Sequence, residues 1–250
     1  MISILKKISS YIFAIVIWPI ALFTFVISVG IYLFAALFIS PKRLYHLARF
    51  LSRFVLLGAG QIIKMEGKIP DPKNGPYLYL FNHQSLLDQF LIVGVIREYV
   101  TAVGADYQFS WPIWGRLIKR LGAIPIIRKD LTKAIHSLSL AEDEIRKGTS
   151  FLLAPEGTRT LTGKMGEFKK GTFHLSLNTG VTIIPMGLIG AYNSKQKNDW
   201  RIYPGRITVR IGQPVKNYYY QKMSVEELRA DIRNKISLLC EDDSVIVKDN

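Results

Sequence analysis

A histidine and an aspartate interrupt an otherwise apolar stretch, LFNHQSLLDQF, at residues 80–90. His83 and Asp88 are five residues apart, and their side chains can meet if the chain bends back between them. The Asp88 carboxylate would then accept a hydrogen bond from one imidazole nitrogen, which leaves the other nitrogen free to take a proton. This is the arrangement of a general base and its orienting group in a catalytic pair.

The same spacing also supports a purely structural interpretation. Ser85 and Asp88 match the S-x-x-D pattern of a helix capping box, so Asp88 could serve only to start a helix. Spacing alone leaves both interpretations open. No G-x-S-x-G motif surrounds Ser85, so an acyl-serine intermediate is not expected. The four histidines include no H-x-x-x-H pair, and no metal site is predicted.

Two further stretches place basic residues directly after apolar runs. In LLAPEGTRTLTGKMGEFKKG (152–171), Gly157 would let backbone amides approach a ligand, and Arg159 can bind a phosphate through two donors. In GAIPIIRKD (122–130), Arg128 holds the equivalent position. Taken alone, each stretch is as typical of an exposed basic loop as of a phosphate site.

The elements that must position these residues alternate from Gln61 onward. The expected strands are QIIKMEG, YLYLF, YVTAVGA, AIPII, SFLLA, TIIPMGL and RITVRIG. Helices are expected around 85–97, 112–121, 131–147 and 171–179, followed by one that begins at Ser224. This order predicts an α/β fold with a mixed, largely parallel sheet flanked by helices. Such sheets place their chemistry at strand ends, where His83, Arg128 and Glu156 stand.

The N-terminal segment is typical of a membrane anchor. No charged residue stands between Lys7 and Lys42, so residues 8–41 form an uncharged run of 34, and a helix needs only about 20 residues to cross the hydrocarbon. Positive charge on both flanks favours both ends on the cytoplasmic side. One continuous helix would be roughly 51 Å long, against a core of about 30 Å. A membrane-embedded hairpin or helix pair, bent at Pro19 or Gly30, is therefore preferred over a single tilted span.

The next segment, KRLYHLARFLSRFVLLGAG, is predicted to form an interfacial helix with a basic face. Its basic residues recur at helical spacing: Lys42, His46, Arg49 and Arg53. Each cation near an anionic leaflet would contribute on the order of 1 kcal/mol. A helix packed on the catalytic domain, with its basic face in solvent, would show the same pattern.

Composition limits the partners. The chain has 33 Lys and Arg against 19 Asp and Glu, a formal net charge of +14, which predicts an anionic partner. Because the basic residues of the N-terminal region stand beside lipid-seeking ones, and no recognition motif is present, membrane lipid is expected and nucleic acid is not. The single Cys240 is compatible with a reducing compartment such as the cytoplasm.

Four motifs follow one another in a distinctive order. They are NHQSLLD at 82–88, GAIPIIR at 122–128, PEGTRT at 155–160 and IIPM at 183–186. Together they resemble the motifs of the glycerolipid acyltransferase family, and most of all those of its 1-acyl-glycerol-3-phosphate acyltransferases, over roughly residues 60–215. The resemblance favours the catalytic interpretation of His83 and Asp88.

The resemblance implies direct acyl transfer. His83, oriented by Asp88, would remove the proton from the free hydroxyl of lysophosphatidic acid. That hydroxyl would attack the thioester of acyl-CoA or acyl carrier protein and give phosphatidic acid; apart from this donor no cofactor is expected. Headgroup binding is implied for Arg128, Glu156, Gly157, Thr158 and Arg159. Ile184 and Pro185 are expected to shape the acyl-side pocket, and Asn82 to help position the substrate.

The sequence also departs from the family pattern, which keeps alternatives open. Ala105 and Asp106 stand about where many members carry a lysine, and Thr160 replaces the usual serine. Another lysolipid, such as a lysophospholipid or lyso-ornithine lipid, is an alternative acceptor, and a catalytically idle lipid-binding module is an alternative function.

The expected organisation is a membrane anchor over 1–60, an acyltransferase domain over 61–240 and a flexible acidic tail over 241–250. The expected location is the inner (cytoplasmic) membrane, with the catalytic domain facing the cytoplasm.

Overall fold

A single sheet forms the centre of the catalytic region in the computed structural model, which describes residues 2–241 and, for side chains, residues 11–241. Its strands are β1 (Gln61–Glu66), β2 (Tyr77–Phe81), β3 (Val100–Ala105), β4 (Ile124–Ile126), β5 (Ser150–Leu153), β6 (Thr182–Ile189) and β7 (Gly205–Ile211). Within the described residues the strand order is β1-β7-β6-β2-β5-β3-β4. The five strands from β6 to β4 run parallel, whereas β7 is antiparallel to β6 and parallel to β1. The predicted mixed, largely parallel sheet is confirmed.

Helices cover both faces of this sheet. They are α1 (Ile2–Ala35), α2 (Tyr45–Gly58), α3 (Asp88–Val95), α4 (Trp114–Arg120), α5 (Leu131–Arg146), α6 (Gly171–Thr179), α7 (Ala191–Ser194), α8 (Asn217–Tyr220) and α9 (Val225–Cys240). Short 3₁₀ turns occupy Pro72–Asn74 and Asp106–Ser110. The α9 helix begins at Ser224 with both hydrogen bonds of a capping box, as its S-x-x-E pattern predicts.

Alternation along β2 explains why both faces are covered. Tyr79 and Phe81 lie in the core between the sheet and the α2 and α3 helices, whereas Leu78 and Leu80 lie in the core that α5, α6 and α9 share. All five residues of β2 are buried, as expected of a central parallel strand. The carboxyl ends of β6, β2 and β5 are therefore neighbours at one edge of the sheet.

The N-terminal region forms a pair of helices, but not by the predicted bend. The α1 helix is continuous from Ile2 to Ala35, with Pro19 inside it. The chain reverses after Ala35, and α2 returns antiparallel along α1; Gly58 lies so close to Thr24 that a β carbon would overlap its side chain. A hairpin bent at Pro19 or Gly30 was therefore wrong, and the alternative of a helix pair describes the structure. The α1 helix packs against α2 instead of folding back on itself.

Two cations of the predicted basic face contact protein. Arg49 Nε and Arg53 Nε donate to the carbonyl oxygen of Gly94 at distances of 3.3 and 2.7 Å. Gly94 lies in the last turn of α3, where unpaired carbonyls attract positive charge. These contacts agree with the alternative of a helix packed on the catalytic domain, and the interfacial role of the basic face stays a prediction.

The α1 helix retains the character of a membrane helix. Over Tyr11–Ala35 it has a mean hydropathy of 2.6, and only 28% of its most apolar window is buried. A core helix of a water-soluble domain would be mostly buried, so the large exposed apolar side chains of α1 favour lipid contact. Of the acidic tail predicted over 241–250, residues 242–250 lie outside the described residues.

Candidate active site

The His83 turn, residues 82–88, connects the carboxyl end of β2 to the first residue of α3. His83 Nδ1 lies 2.7 Å from Asp88 Oδ2, so the two side chains meet as their spacing predicts. Asp88 is fully buried, while 23% of the His83 side chain is exposed. No described residue forms a hydrogen bond with His83 Nε2. The ring therefore has one nitrogen held by a buried carboxylate and one available to a ligand.

Asp88 has a second, structural role. Its carboxylate accepts hydrogen bonds from the backbone N–H groups of Gln84, at 2.7 Å, and Ser85, at 2.9 and 3.0 Å. The bond from the Ser85 backbone N–H to the Asp88 carboxylate is one of the two hydrogen bonds of the predicted capping box. The α3 helix nevertheless begins at Asp88 itself. The catalytic and structural interpretations are compatible, because the bonds that orient the carboxylate also direct one oxygen at His83.

The loop after β5 surrounds the backbone of His83. Glu156 is buried, and its two oxygens accept from the N–H groups of His83 and Gly166, each at 2.7 Å. The N–H of Thr160 donates to the carbonyl oxygen of His83 at 2.9 Å. Both backbone groups of His83 are thus bonded to this loop. Burial raises the pKa of the Glu156 carboxyl above its ordinary value, and the two amide donors act in the opposite direction.

The outer part of the same loop presents polar groups at the surface. Gly157 has a φ of +71°, a left-handed conformation that suits glycine and turns the chain beside Lys169. Thr158 is exposed and Arg159 is half-buried. Within the described part of the chain, the Arg159 guanidinium has no hydrogen-bond or ion-pair partner, so its donors are available for an anion.

Residues 190–204, between β6 and β7, are a part of the site that sequence reasoning missed. This 190–204 segment contacts the His83 turn through Ser85 Oγ, which donates to the carbonyl oxygen of Lys195 at 3.2 Å. Lys197 Nζ lies 3.1 Å from Thr158 Oγ1. The available signal was the basic sequence SKQKNDWR (194–201), five residues after the apolar run TIIPMGL (182–188).

The 190–204 segment is held rigidly and also contacts α1. The Lys195 ammonium is buried and donates to the carbonyl oxygens of Gln196 and Asp199; burial first, and then the charge of Arg159, lower its pKa. Hydrogen bonding from Arg201, 2.7 Å away, lowers the pKa of Asp199 to about 2. At the far side, Trp18 Nε1 donates to the carbonyl oxygen of Trp200 at 2.7 Å.

Comparison with known families shows the family to which the chain belongs. The family model described as Acyltransferase matches residues 62–189, which include the His83 turn and the loop after β5. The chain belongs to the acyltransferase family. The match covers half of the chain, and it contains all four motifs on which the resemblance rests.

Similar proteins agree with this assignment. A 1-acyl-sn-glycerol-3-phosphate acyltransferase from Cocos nucifera is 33% identical over 165 residues, which cover 66% of this chain and 53% of that protein. One from Salmonella typhimurium is 30% identical over 197 residues, which cover 78% of this chain and 80% of that protein. The chain thus spans only about half the length of the Cocos relative.

A solved structure shares the fold. It is the crystal structure of the 1-acyl-sn-glycerophosphate (LPA) acyltransferase, PlsC, from Thermotoga maritima. It matches with a TM-score of 0.81 and 23% identity, over 92% of this chain and 95% of that chain. At this identity the likeness concerns the fold.

Two residues expected to touch substrate have their side chains occupied by protein. Asn82 is buried, its amide nitrogen donates to the Leu188 carbonyl at 3.0 Å, and its amide oxygen accepts from the Leu188 N–H at 2.7 Å. Both oxygens of Glu156 are likewise bonded. A role of these two side chains in substrate binding stays a prediction. They fasten the His83 turn to β6 and to the loop after β5.

The other residues singled out in the sequence lie elsewhere in the fold. Ile184 and Pro185 are buried inside β6, and Ile184 belongs to the core under α3. Their part in an acyl-side pocket stays a prediction. Arg128 follows β4 and is exposed, three strands from β2, or about 14 Å at the usual strand spacing. Asp106 is exposed at the carboxyl end of β3.

The same region offers neither an exposed serine nucleophile nor a metal site among the described residues. Ser85 is fully buried and bonded to the 190–204 segment, which agrees with the expectation that it is no nucleophile. Among the described residues, no group of three His, Cys, Asp or Glu side chains is placed to hold a metal ion. The side chains at the exposed surface of the site are therefore an imidazole, hydroxyls and cations.

Proposed function

We propose that this protein transfers a fatty acyl group from a thioester to the free hydroxyl of 1-acyl-glycerol-3-phosphate, giving phosphatidic acid. The observation that carries the proposal is the 2.7 Å contact between His83 Nδ1 and the buried Asp88 carboxylate, while Nε2 has no hydrogen-bond partner among the described residues. The names of the Cocos nucifera and Salmonella typhimurium relatives support this choice of acceptor.

The reaction needs a proton acceptor more than a nucleophilic side chain. His83 Nε2 takes the proton of the acceptor hydroxyl while its oxygen attacks the thioester carbonyl, and Asp88 stabilises the imidazolium that forms. The resulting tetrahedral intermediate expels the thiolate of the carrier, which receives the proton from His83. The ester bond replaces the thioester bond, and the histidine returns to its neutral form.

The headgroup side of the acceptor is assigned to the outer part of the loop after β5. Arg159 has no protein partner among the described residues, and a guanidinium binds phosphate oxygens through two parallel donors. Gly157 leaves room for close approach of the phosphate to the backbone. Arg128 lies at the same edge of the sheet and would contact a headgroup that extends toward β4.

The location follows from the acceptor and from α1. Lysophosphatidic acid resides in the bilayer, and the exposed apolar side chains of α1 are suited to the same environment. We assign the protein to the inner (cytoplasmic) membrane, with its catalytic domain facing the cytoplasm. Acyl-CoA and acyl carrier protein, the two candidate donors, are soluble there.

A matrix of two donors and several acceptors, assayed on purified enzyme, tests the proposal. Acyl-CoA and acyl carrier protein would each be offered with 1-acyl-glycerol-3-phosphate, lysophosphatidylcholine, lysophosphatidylethanolamine and a lyso-ornithine lipid. We expect phosphatidic acid to form fastest. Product from another lysolipid only would refute the acceptor assignment, and no transfer to any acceptor would favour a lipid-binding module.

A further inference from the structure

The loop after β5 and the 190–204 segment bring three polar groups together at the surface, Thr158, Arg159 and Lys197, which we call the cationic cluster. Lys197 Nζ contacts Thr158 Oγ1 at 3.1 Å, although the two residues are 39 positions apart. Thr160, two residues beyond Thr158, donates to the carbonyl oxygen of His83 at 2.9 Å. The cluster is therefore joined directly to the turn that carries the catalytic base.

The two charges of the cluster are uncompensated. Within the described residues, neither Arg159 nor Lys197 has a carboxylate within ion-pair distance. Some cations elsewhere in the molecule do form ion pairs, for example Lys170 with Glu226, Arg201 with Asp199 and Arg210 with Glu66. Two unpaired cations beside a catalytic turn create a local positive potential that favours an anionic ligand.

Lys197 is held in place by the segment that carries it. On one side of it, the buried Lys195 ammonium bonds to two carbonyl groups, and the Lys195 carbonyl accepts from Ser85. On the other side, Asp199 binds Arg201 and Tyr203. Because the backbone on both sides of Lys197 is held, a ligand has to order only the Lys197 side chain, which reduces the conformational entropy lost on binding.

We infer that Lys197 is a second phosphate-binding residue, which acts with Arg159 to select acceptors that carry a phosphomonoester. This inference rests on the proposed function, whose acceptor it specifies. A phosphomonoester carries a charge of about −1.5 to −2 at neutral pH, whereas the phosphodiester of a lysophospholipid carries only one negative charge. Two cations therefore match the first headgroup better than the second.

The hydroxyl of Thr158 completes the arrangement. Its oxygen accepts a hydrogen bond from Lys197, so its own O–H remains available to donate to a phosphate oxygen. Arg159 supplies a bidentate contact, Lys197 a point charge and Thr158 a neutral donor. The three groups come from two different strand connections, β5–α6 and β6–β7.

Calorimetric titration with sn-glycerol 3-phosphate, in detergent micelles, tests the inference without any catalytic turnover. We expect Lys197→Ala to weaken binding by about 10-fold or more, in line with loss of a hydrogen bond to a charged group. Lys197→Arg should keep most of the affinity because it keeps the charge. Lys222→Ala is the control and should have no effect on binding. It removes an exposed lysine near α8, and α8 lies at the amino end of β6, where the Tyr220 hydroxyl donates to the Val181 carbonyl.

Kinetics with two acceptors, 1-acyl-glycerol-3-phosphate and the uncharged 1-acylglycerol, separates a binding role from a structural one. For Lys197→Ala, KM should rise about 10-fold for the phosphorylated acceptor, kcat should be nearly unchanged, and values for the uncharged acceptor should not move.

Wild-type affinity for sn-glycerol 3-phosphate in the Lys197→Ala variant would overturn the inference, as would equal losses on both acceptors. If the wild type binds the probe but transfers acyl groups to neither acceptor, the proposed reaction fails while the titration still decides the role of Lys197.

Discussion

The His83 turn and the cationic cluster lie side by side at one edge of the sheet, but they are constructed in opposite ways. The turn is held by buried carboxylates: Asp88 and Glu156 together accept from the His83 ring and from four backbone amides. The cluster consists of partly or fully exposed side chains, and its two cations have no carboxylate partner in the described structure. Proton transfer requires a fixed geometry, whereas a phosphate can be bound by long side chains that adjust. Substitutions in the two regions should therefore change different kinetic constants.

The largest expected effect follows from removal of the base. His83→Ala should reduce kcat by about 10²–10⁴-fold, the usual contribution of general base catalysis, and should leave the KM of the acceptor nearly unchanged. Steady-state rates on purified enzyme would measure both constants. His136→Ala, which removes an exposed histidine of α5, is a matched control. Unchanged acyl transfer by His83→Ala would contradict the mechanism.

Glu156→Ala tests whether the hydrogen bonds between the buried Glu156 carboxylate and the turn are needed for catalysis as well as for stability. The variant leaves the N–H groups of His83 and Gly166 without acceptors, and we expect a loss of about 2–4 kcal/mol in unfolding free energy. We also expect a fall in kcat with little change in KM. Denaturant unfolding and rates should be compared with Glu167→Ala, an exposed residue of the same loop. A stable variant whose KM alone changes would mean that Glu156 binds substrate.

The pH dependence of Glu156 has a defined sign. Because the folded-state pKa of this carboxyl is raised above its ordinary value of 4.5, its contribution to stability is full below 4.5 and declines as pH rises through the folded value. The stability of the wild type relative to Glu156→Gln should therefore decrease between acidic and neutral pH. Chemical unfolding at several pH values would show this trend. An unfolding free energy of the wild type that rises with pH relative to that of Glu156→Gln would contradict it.

Arg159→Ala should show the kinetic pattern expected of the cationic cluster. The acceptor KM should rise about 10- to 100-fold from loss of a charge-assisted pair, with kcat affected less. Arg128→Ala should have a smaller effect because Arg128 lies three strands from β2. Acceptor saturation curves for both variants would rank them. An unaltered KM in Arg159→Ala would exclude it as a phosphate ligand.

Asp199→Asn should give the smallest effect and the one most specific to the 190–204 segment. Loss of the ion pair with Arg201 loosens the segment around Lys197, so the acceptor KM should rise a few-fold. Since the pKa of Asp199 is lowered to about 2, its contribution to stability is present above 3.8 and is lost as pH falls toward 2. Thermal unfolding between pH 5 and 2 should therefore show a smaller acid-induced loss in Asp199→Asn than in the wild type.

Periodicity in the sequence predicted most of the architecture. Each expected strand and helix from Gln61 to Cys240 is present, because apolar runs that must be covered on both faces leave few alternatives to a parallel sheet. The contact between His83 and Asp88 could also be predicted, because both residues lie in one tight connection between β2 and α3. Local patterns are sufficient when the partners are only a few positions apart.

The sequence could not predict contacts between distant parts of the chain. No local pattern shows that Asn82 bonds to Leu188, or that Arg49 and Arg53 bond to Gly94. The packing of α2 along α1 is a contact of the same kind. Lys197 was missed because its relation to Thr158 arises only when the carboxyl ends of β5 and β6 are placed on either side of β2.

The bond between Trp18 and Trp200 has a consequence for which atom of a lipid can react. Trp18 belongs to the apolar helix, and Trp200 is five residues from Lys195, whose carbonyl accepts from the Ser85 hydroxyl. A single short peptide therefore links α1 to the turn that carries the imidazole. In the proposed membrane location this peptide would set the depth of the imidazole relative to the bilayer. On the proposed function, a glycerol hydroxyl at that depth would be acylated in preference to one higher or lower, so immersion would contribute to regiochemistry together with the shape of the site.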